Sequence, residues 1–280
     1  MKGAASNVFV VQHAPYVARY TAPNPGPKTL SGTHTYVVGK EPGYVIDPGP
    51  VDQPHLTAVA ASLRATGVSV LAILLSHGHP DHAPGARLLK DLLGVEVVGS
   101  RHMLPSEAAA AGVDRYYGDG ERFAIGEDQL VVLDAPGHSV DQVAFWLSDA
   151  RILFSAETIL GTGSTLIAPP EGDMTAYMGT LAMMRSLDAR LILPGHGPEV
   201  TDPTAKIDEY IEHRVAREQQ LLNLLSPGRV DIDELVARLY ADTDPSLHGL
   251  ARGSVSAQLQ KLLQEGKIEF DGESYWVPGA

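Results

Sequence analysis

Cysteine is absent from the 280 residues. This absence excludes disulfides, thiolate metal ligands and cysteine nucleophiles, so any metal ion must be held by histidine and carboxylate side chains. Long apolar runs are also missing: the longest, Val70 to Leu75, is far shorter than the ~20 residues that span a bilayer. The first twenty residues show no signal-peptide pattern. We therefore expect a cytoplasmic protein without a membrane partner.

Basic residues are far fewer than acidic ones. Lysine and arginine number 21 against 34 aspartate and glutamate residues, which gives a net charge of -13. Such a balance disfavours non-specific attraction to phosphate backbones and anionic membranes. A small-molecule substrate fits this charge better than nucleic acid does. RNA stays open as a less favoured partner.

Short β-like runs alternate with glycine and proline turns over the first two hundred residues, which indicates an α/β fold. The pattern predicts strands at 35–38, 44–46 and 68–75, the last buried on both faces, and a helix over 54–66. A long helix over 204–225 ends at Ser226-Pro227-Gly228. Beyond it, helices at 233–240 and 254–264 and a hairpin at 267–270 and 274–277 suggest a small winged-helix module. We predict a catalytic domain at 1–203, a connecting helix at 204–225 and a C-terminal domain at 226–280.

Histidine is the residue type that carries the chemistry. The run His77-Gly78-His79-Pro80-Asp81-His82 follows the strand 68–75 and precedes a helix that starts at Pro84 and stops at Gly94. A loop is needed there, because helices and strands point consecutive side chains in different directions. Two Pro-Gly-His tripeptides, ending in His138 and His196, also follow short apolar runs. Imidazole and carboxylate suit zinc, and three protein ligands per ion leave a position for water.

These motifs resemble the signature of the metallo-β-lactamase superfamily. The resemblance covers residues 30–200 and implies an αβ/βα sandwich with a dinuclear site. It implies that His77, His79 and His138 bind one ion, and that Asp81, His82 and His196 bind the other. The stretch Ile46-Asp47-Pro48-Gly49 resembles a turn of the family, which implies that Asp47 supports the metal ligands without binding the ions itself. The C-terminal pattern is similar to the group around the beta-lactamase-like protein 2 hydrolases, which carry a winged-helix domain.

Two positions depart from the family pattern. Phe154-Ser155-Ala156-Glu157 matches the stretch that ends in the bridging aspartate, so this chain offers a glutamate one methylene longer. Glu157 bridges both ions, binds one of them, weakens the second site or alters the metal preference; we expect at least one metal contact. His34 stands in an asparagine position of the family, where we expect it to be structural or to line the pocket rim.

The resemblance implies a metal-dependent hydrolase that uses a metal-bound hydroxide oriented by Asp81. We expect two divalent ions, zinc before manganese or iron, all of which accept these ligands. The favoured substrate is a small ester, thioester, lactone or related carbonyl compound. The alternatives are a single-stranded endoribonuclease and a non-catalytic metal-binding or interaction protein. Residues 226–280 contain five basic and nine acidic side chains, so we expect packing or homodimer formation there, not DNA binding.

Overall fold

The computed structural model of the chain describes residues 9–10, 16–242, 244 and 248–279. Most of the segment on which the signal-peptide expectation rests lies outside these described residues. The described part divides into two compact units. One contains the residues up to 135, 141–163 and 187–203, and the other contains 136–140, 164–186 and the residues from 204 onward. The domain boundaries at 203 and 225 stay a prediction.

The first unit is built on two β-sheets. A seven-stranded sheet follows the chain order β1 to β7, with parallel pairing from β4 onward. Its strands are β1 (Phe9–Val10), β2 (Val17–Thr21), β3 (His34–Val38), β4 (Gly43–Ile46), β5 (Val70–Leu74), β6 (Glu96–Ser100) and β7 (Arg115–Tyr117). A five-stranded sheet has the order β12-β11-β10-β9-β8 and one parallel pair, β11 with β12. Its strands are β8 (Arg122–Ile125), β9 (Asp128–Asp134), β10 (Val143–Leu147), β11 (Ile152–Ala156) and β12 (Leu191–Pro194).

Side chains from both sheets form one buried apolar cluster, which includes Val38, Leu74, Phe145, Phe154 and Leu193. The opposite face of the seven-stranded sheet packs against α1 (Gln53–Ala65), α2 (Gly85–Leu93) and α3 (Pro105–Ala111). Local sequence sets the helix ends. Asp52 caps α1 by accepting the backbone N–H of His55, and α2 ends at Gly94 in the left-handed region at φ 73°. The predicted helix over 54–66 and the stop at Gly94 are confirmed, whereas burial of the strand 68–75 on both faces is wrong at Leu71, which is exposed.

The second unit contains α4 (Met174–Ser186), most of α5 (Pro203–Leu225), α6 (Ile232–Leu239) and α7 (His248–Gln264), with the hairpin strands β13 (Glu269–Phe270) and β14 (Tyr275–Trp276). Helices α5 to α7 and the hairpin enclose a small apolar core centred on Leu221, Leu235, Val255 and Leu259. The predicted long helix and hairpin are confirmed, and α7 starts six residues before its predicted start at 254. Helix α4 was not predicted. Within the described residues, no helix is long and apolar enough to cross a membrane.

Candidate metal centre

The predicted site residues of the first unit lie where parallel strands end. Asp47 follows β4, the run from His77 follows β5, Glu157 follows β11, and His196 follows β12. Strands β4 and β5 are parallel neighbours, as are β11 and β12. Because parallel neighbours end at the same edge of a sheet, each pair delivers its polar residues side by side.

Asp47 is a buried acceptor between two of these strand ends. Its Oδ1 accepts the backbone N–H of Ser76 at 2.7 Å, and its Oδ2 accepts the Ser76 hydroxyl at 2.6 Å. The Nδ1–H of His82 donates to the same Oδ2 at 2.9 Å. Since the Ser76 hydroxyl proton goes to Asp47, Ser76 Oγ accepts from Nδ1 of His77 at 2.9 Å. Asp47 and Ser76 thus fix both rings with Nε2 left as the lone-pair nitrogen.

Hydrogen bonds and close packing shape the loop from His77 to His82. The N–H of Gly78 donates to Asp141 Oδ2 at 2.8 Å, and the N–H of His82 donates to the His79 carbonyl at 3.0 Å.

Sequence reasoning missed Ser76 and Asp141 as parts of the site. The one available signal was position, because Ser76 precedes the histidine run and Asp141 follows the Pro-Gly-His tripeptide at 136–138.

Glu157 occupies the middle of the site. Its Oε1 lies 3.6 Å from His77 Nε2, 3.9 Å from His79 Nδ1, 3.4 Å from His82 Nε2 and 3.7 Å from His196 Nε2. One carboxylate oxygen is therefore close to four imidazole nitrogens. Glu157 belongs both to the donor group with His77 and His79 and to the donor group with Asp81, His82 and His196.

The second of these groups is compact. Asp81 Oδ2 lies 3.2 Å from His196 Nε2 and 3.7 Å from His82 Nε2, and the two Nε2 atoms are 3.3 Å apart. Ligands bound to one zinc ion at ~2.0–2.2 Å lie roughly 3–4.4 Å from each other. The donor atoms of this group have that spacing, so the residues present fit a metal ion.

The protonation of the site follows from burial and contacts. Burial, and then the charges of His82 and His79, lower the pKa of His77 to about 3, which keeps this imidazole neutral. Burial opposes protonation of His82, but hydrogen bonds with Asp47 and Glu157 outweigh it and raise its pKa. Burial would raise the pKa of Asp81, but the hydrogen bond with His196 and the charge of His82 lower it. Without a metal, carboxylates and imidazoles thus share protons that a metal ion would displace.

The segment 32–34, which leads into β3, frames His196. The Nδ1–H of His196 donates to the Gly32 carbonyl at 3.2 Å, and the N–H of His34 donates to the Gly195 carbonyl at 2.8 Å. His34 is itself buried, with Nε2 at 2.7 Å from the Gly197 carbonyl and Nδ1 at 3.0 Å from Thr21 Oγ1. Burial lowers the pKa of His34 to about 4. The structure places His34 behind His196, where it holds the backbone on either side of this ligand candidate.

His138 belongs to the second unit, on the short segment 136–140. Its Nδ1–H donates to the Leu166 carbonyl at 2.9 Å, and the hydroxyl of Thr180 donates to the Pro136 carbonyl at 2.7 Å. Gly137 adopts φ 134°, and a Cβ at this position would lie 2.4 Å from Cα of Tyr177. Only glycine fits here, so α4 and residue 166 together set the position of His138.

The histidines and carboxylates clustered at the strand ends of this two-sheet α/β core form groups that could hold metal ions. Residues 29–196 match the family described as Metallo-beta-lactamase superfamily, and residues 232–276 match the Beta-lactamase associated winged helix domain. The chain belongs to the metallo-beta-lactamase superfamily of hydrolases. The predicted αβ/βα sandwich with a C-terminal winged-helix domain is confirmed.

Individual relatives agree with this assignment. The "Beta-lactamase-like protein 2 homolog" of Caenorhabditis elegans is 32% identical over 90% of this chain and 86% of its own length. The "Atrochrysone carboxyl ACP thioesterase" of Aspergillus chevalieri is 30% identical over 92% of this chain and 82% of its own. A beta-lactamase domain protein from Burkholderia ambifaria shares the fold with a TM-score of 0.83 and 20% identity, covering 99% of this chain and 95% of its own.

Proposed function

We propose that this protein hydrolyses small thioesters and related ester or lactone carbonyl compounds with two divalent metal ions, zinc in the first place. The observation that carries the proposal is the position of Glu157 Oε1, 3.4–3.9 Å from four imidazole nitrogens. A carboxylate surrounded in this way has the geometry of a ligand shared by two ions. The imidazoles and carboxylates around it supply the donor atoms that divalent zinc binds in proteins.

The proposed ligands form two sets joined by Glu157. His77, His79 and His138 hold the first ion, and Asp81, His82 and His196 hold the second. Support comes from the donor atoms that these residues offer and from the oxygen acceptors that hold the Nδ1–H of His77, His82, His138 and His196. Asp47 supports the set by orienting His82. Manganese and iron accept the same donors, so metal analysis has to decide the native ion.

When bound, the ions lower the pKa of a water molecule and polarise the substrate carbonyl. Asp81 is the residue that we assign to orienting the attacking water, because its carboxylate is 24% exposed, against 11% for Glu157. Water oxygen forms a bond to the carbonyl carbon, the C–S bond breaks, and the leaving thiolate takes up a proton. The products are a carboxylic acid and a thiol, with no oxidant or reductant required.

Thioesters are favoured over polyanions for two reasons. The net charge of -13 repels phosphate backbones. The Aspergillus chevalieri relative, similar over 92% of this chain, is named as a thioesterase. RNA cleavage and metal binding without catalysis are the outcomes against which this proposal is tested.

The test is turnover by the metal-loaded chain on a panel of acyl thioesters, lactones, esters and single-stranded RNA. We expect thioester turnover that a chelator abolishes and that zinc restores. His79→Ala should remove it, whereas His102→Ala, at an exposed position outside the site, should leave it unchanged. RNA cleavage without thioester turnover would refute the substrate class. Metal binding without turnover of any compound on the panel would refute the proposed hydrolytic activity.

Metal analysis tests Glu157 separately. Glu157→Asp should keep two ions per chain, because it shortens the ligand without removing it, and Glu157→Gln should lower the content towards one. Equal metal content in wild type, Glu157→Asp and Glu157→Ala would remove Glu157 from the site. Light scattering on the same samples decides between a monomer and the predicted homodimer.

A further inference from the structure

Arg214 is a buried cation on α5. The side chain is only 5% exposed, and the structure records no ion pair for it among the described residues. One terminal nitrogen donates to the Thr165 carbonyl, the guanidinium lies 5.3 Å from the centroid of the Tyr177 ring, and Nε has no hydrogen-bond partner. The side chain of Tyr177 also hydrogen-bonds with Arg214. Burying a guanidinium costs stability when no carboxylate among the described residues pairs with it, so its retention calls for another explanation.

The peptide group after the Thr165 carbonyl, to which Arg214 donates, supplies such an explanation. Thr165, whose carbonyl accepts from Arg214, is followed directly by Leu166, whose carbonyl accepts from His138 Nδ1 at 2.9 Å. A carbonyl only accepts, so His138 must carry its proton on Nδ1. Its Nε2 is then the nitrogen with the free lone pair, as metal binding through that atom requires.

Other contacts hold the same segment from the C-terminal part of this unit. A Cβ added to Gly253 of α7 would lie 2.8 Å from the Cβ of Ala168, so this helix approaches the segment closely. The side chain of Gln258, also on α7, donates to the backbone carbonyl of Arg214 at 3.3 Å. Helix α7 thus approaches this segment at Ala168 and is hydrogen-bonded to α5 at the Arg214 carbonyl, and the charged contact with the segment comes from the Arg214 side chain.

We propose that Arg214 is a positioning residue for His138, acting through the Thr165–Leu166 peptide. By holding the Thr165 carbonyl, it keeps the Leu166 carbonyl where it fixes the tautomer and the orientation of the imidazole. This role rests on the proposed function in that it assumes His138 to be a metal ligand.

The first test needs no substitution. In the metal-free full-length chain, ¹⁵N NMR of the His138 ring should show the Nδ1–H tautomer. In Arg214→Met that preference should weaken, while Arg214→Lys, which keeps one cationic donor, should restore part of it. An Nε2–H tautomer in the wild-type chain would overturn the proposal, and this measurement holds even if the methionine variant does not fold.

The second test is metal affinity by chelator competition, with cobalt absorption as a probe of ligand geometry. Arg214→Met should weaken binding of one ion about tenfold to hundredfold, the effect typical of groups that orient a ligand, and alter the cobalt spectrum. Arg217→Met is the matched control. Arg217 lies on the same helix and also contacts a carbonyl and a ring, those of Leu239 and Tyr240, away from residue 165.

The comparison with His138→Ala separates two kinds of failure. If His138→Ala lowers metal content and Arg214→Met changes neither tautomer, affinity nor spectrum, the positioning role is wrong and the proposed ligand set stands. If His138→Ala leaves metal content unchanged, the ligand set itself fails. A loss of folding stability alone in Arg214→Met, with metal affinity and cobalt spectrum as in wild type, would reduce Arg214 to a structural residue.

Discussion

The substitution Asp47→Asn is expected to weaken metal binding, although the two side chains have nearly the same shape. Both carboxylate oxygens of Asp47 face donors: the Ser76 N–H at 2.7 Å, the Ser76 hydroxyl at 2.6 Å and His82 Nδ1–H at 2.9 Å. An asparagine side chain offers one oxygen and one NH₂ group. In either orientation, its NH₂ therefore points at a buried donor, and the negative charge that lies beside the proposed ligand His82 is lost.

The size of the effect follows from this geometry. One buried donor left unsatisfied costs about 1–3 kcal/mol in the free energy of unfolding. Misorientation of His82 should lower metal affinity about tenfold to hundredfold, which corresponds to about 1.4–2.7 kcal/mol. Chelator competition measures the affinity, and urea unfolding of the metal-free protein measures stability.

Asp52→Asn is the matched control for Asp47→Asn. Asp52 accepts one backbone N–H, that of His55 at 2.8 Å, at the start of α1. Asparagine caps helices about as well as aspartate does, so stability should stay within about 0.5 kcal/mol of wild type and metal affinity should not change. An Asp47→Asn protein with wild-type metal affinity would show that His82 is positioned by other contacts and would refute the reasoning.

Three further changes test the fold around the site. Burial lowers the pKa of His34 to about 4 from the ordinary 6.5, so between these values the unfolded chain binds a proton that the folded chain does not, and stability should rise with pH by up to about 1.4 kcal/mol per unit. In urea unfolding of the metal-free protein at pH 4.5–6.5, His34→Asn should lower that slope by up to about 1.4 kcal/mol per pH unit and leave the slope of the same sign from His77, whose pKa burial also lowers. Equal slopes in the two proteins would count against this prediction. Gly137→Ala should lower the free energy of unfolding by more than about 3 kcal/mol, because its Cβ would overlap with α4. Gly179→Ala should raise it by about 0.5–1 kcal/mol, because Gly179 is exposed within α4 and has open space around it. Thermal unfolding compares the two variants, and similar effects would refute the steric argument. Glu218→Gln should cost about 1 kcal/mol by weakening contacts with Lys261 at 2.6 Å and Lys267 at 2.7 Å, and less in concentrated salt; a salt-independent loss would point to packing instead.

The histidine-rich loop was predictable as a metal site, because three imidazoles and a carboxylate within six residues have few uses in proteins other than metal binding. The same holds for the strand ends that carry it, since β-branched runs stopping at polar residues mark the edge of a buried sheet. Glu157 was recognised only through its place in a family motif. Its central position, close to four imidazole nitrogens, depends on the strand pairing of β11 with β12 and could not be deduced from the local sequence.

Elements that depend on tertiary contacts were not predictable. Helix α4 was missed because Gly179 and Thr180 interrupt its apolar stripe, and tertiary burial of Tyr177 and Leu181 compensates for them. Leu71 belongs to an apolar run but is exposed, because β6 pairs with β5 only from Ala72 onward. Apart from its position before the histidine run, Ser76 carries no sequence signal, since serine is common. The acceptor carbonyls of the histidine rings carry none, since every residue has a carbonyl.

The two compact units interleave along the chain, and this has a consequence for how the protein is made. His138 and the peptide that fixes its ring are synthesised well before Arg214 and the helices that hold that peptide. At ~5–20 residues per second, a ribosome takes roughly 4–15 s to travel from codon 138 to codon 214. During that interval the nascent chain already contains its histidine-rich loop, but the Arg214 contact cannot yet form. Until Arg214 has been synthesised, we therefore expect the proposed first site to bind its ion about tenfold to hundredfold more weakly than it does once the contact has formed.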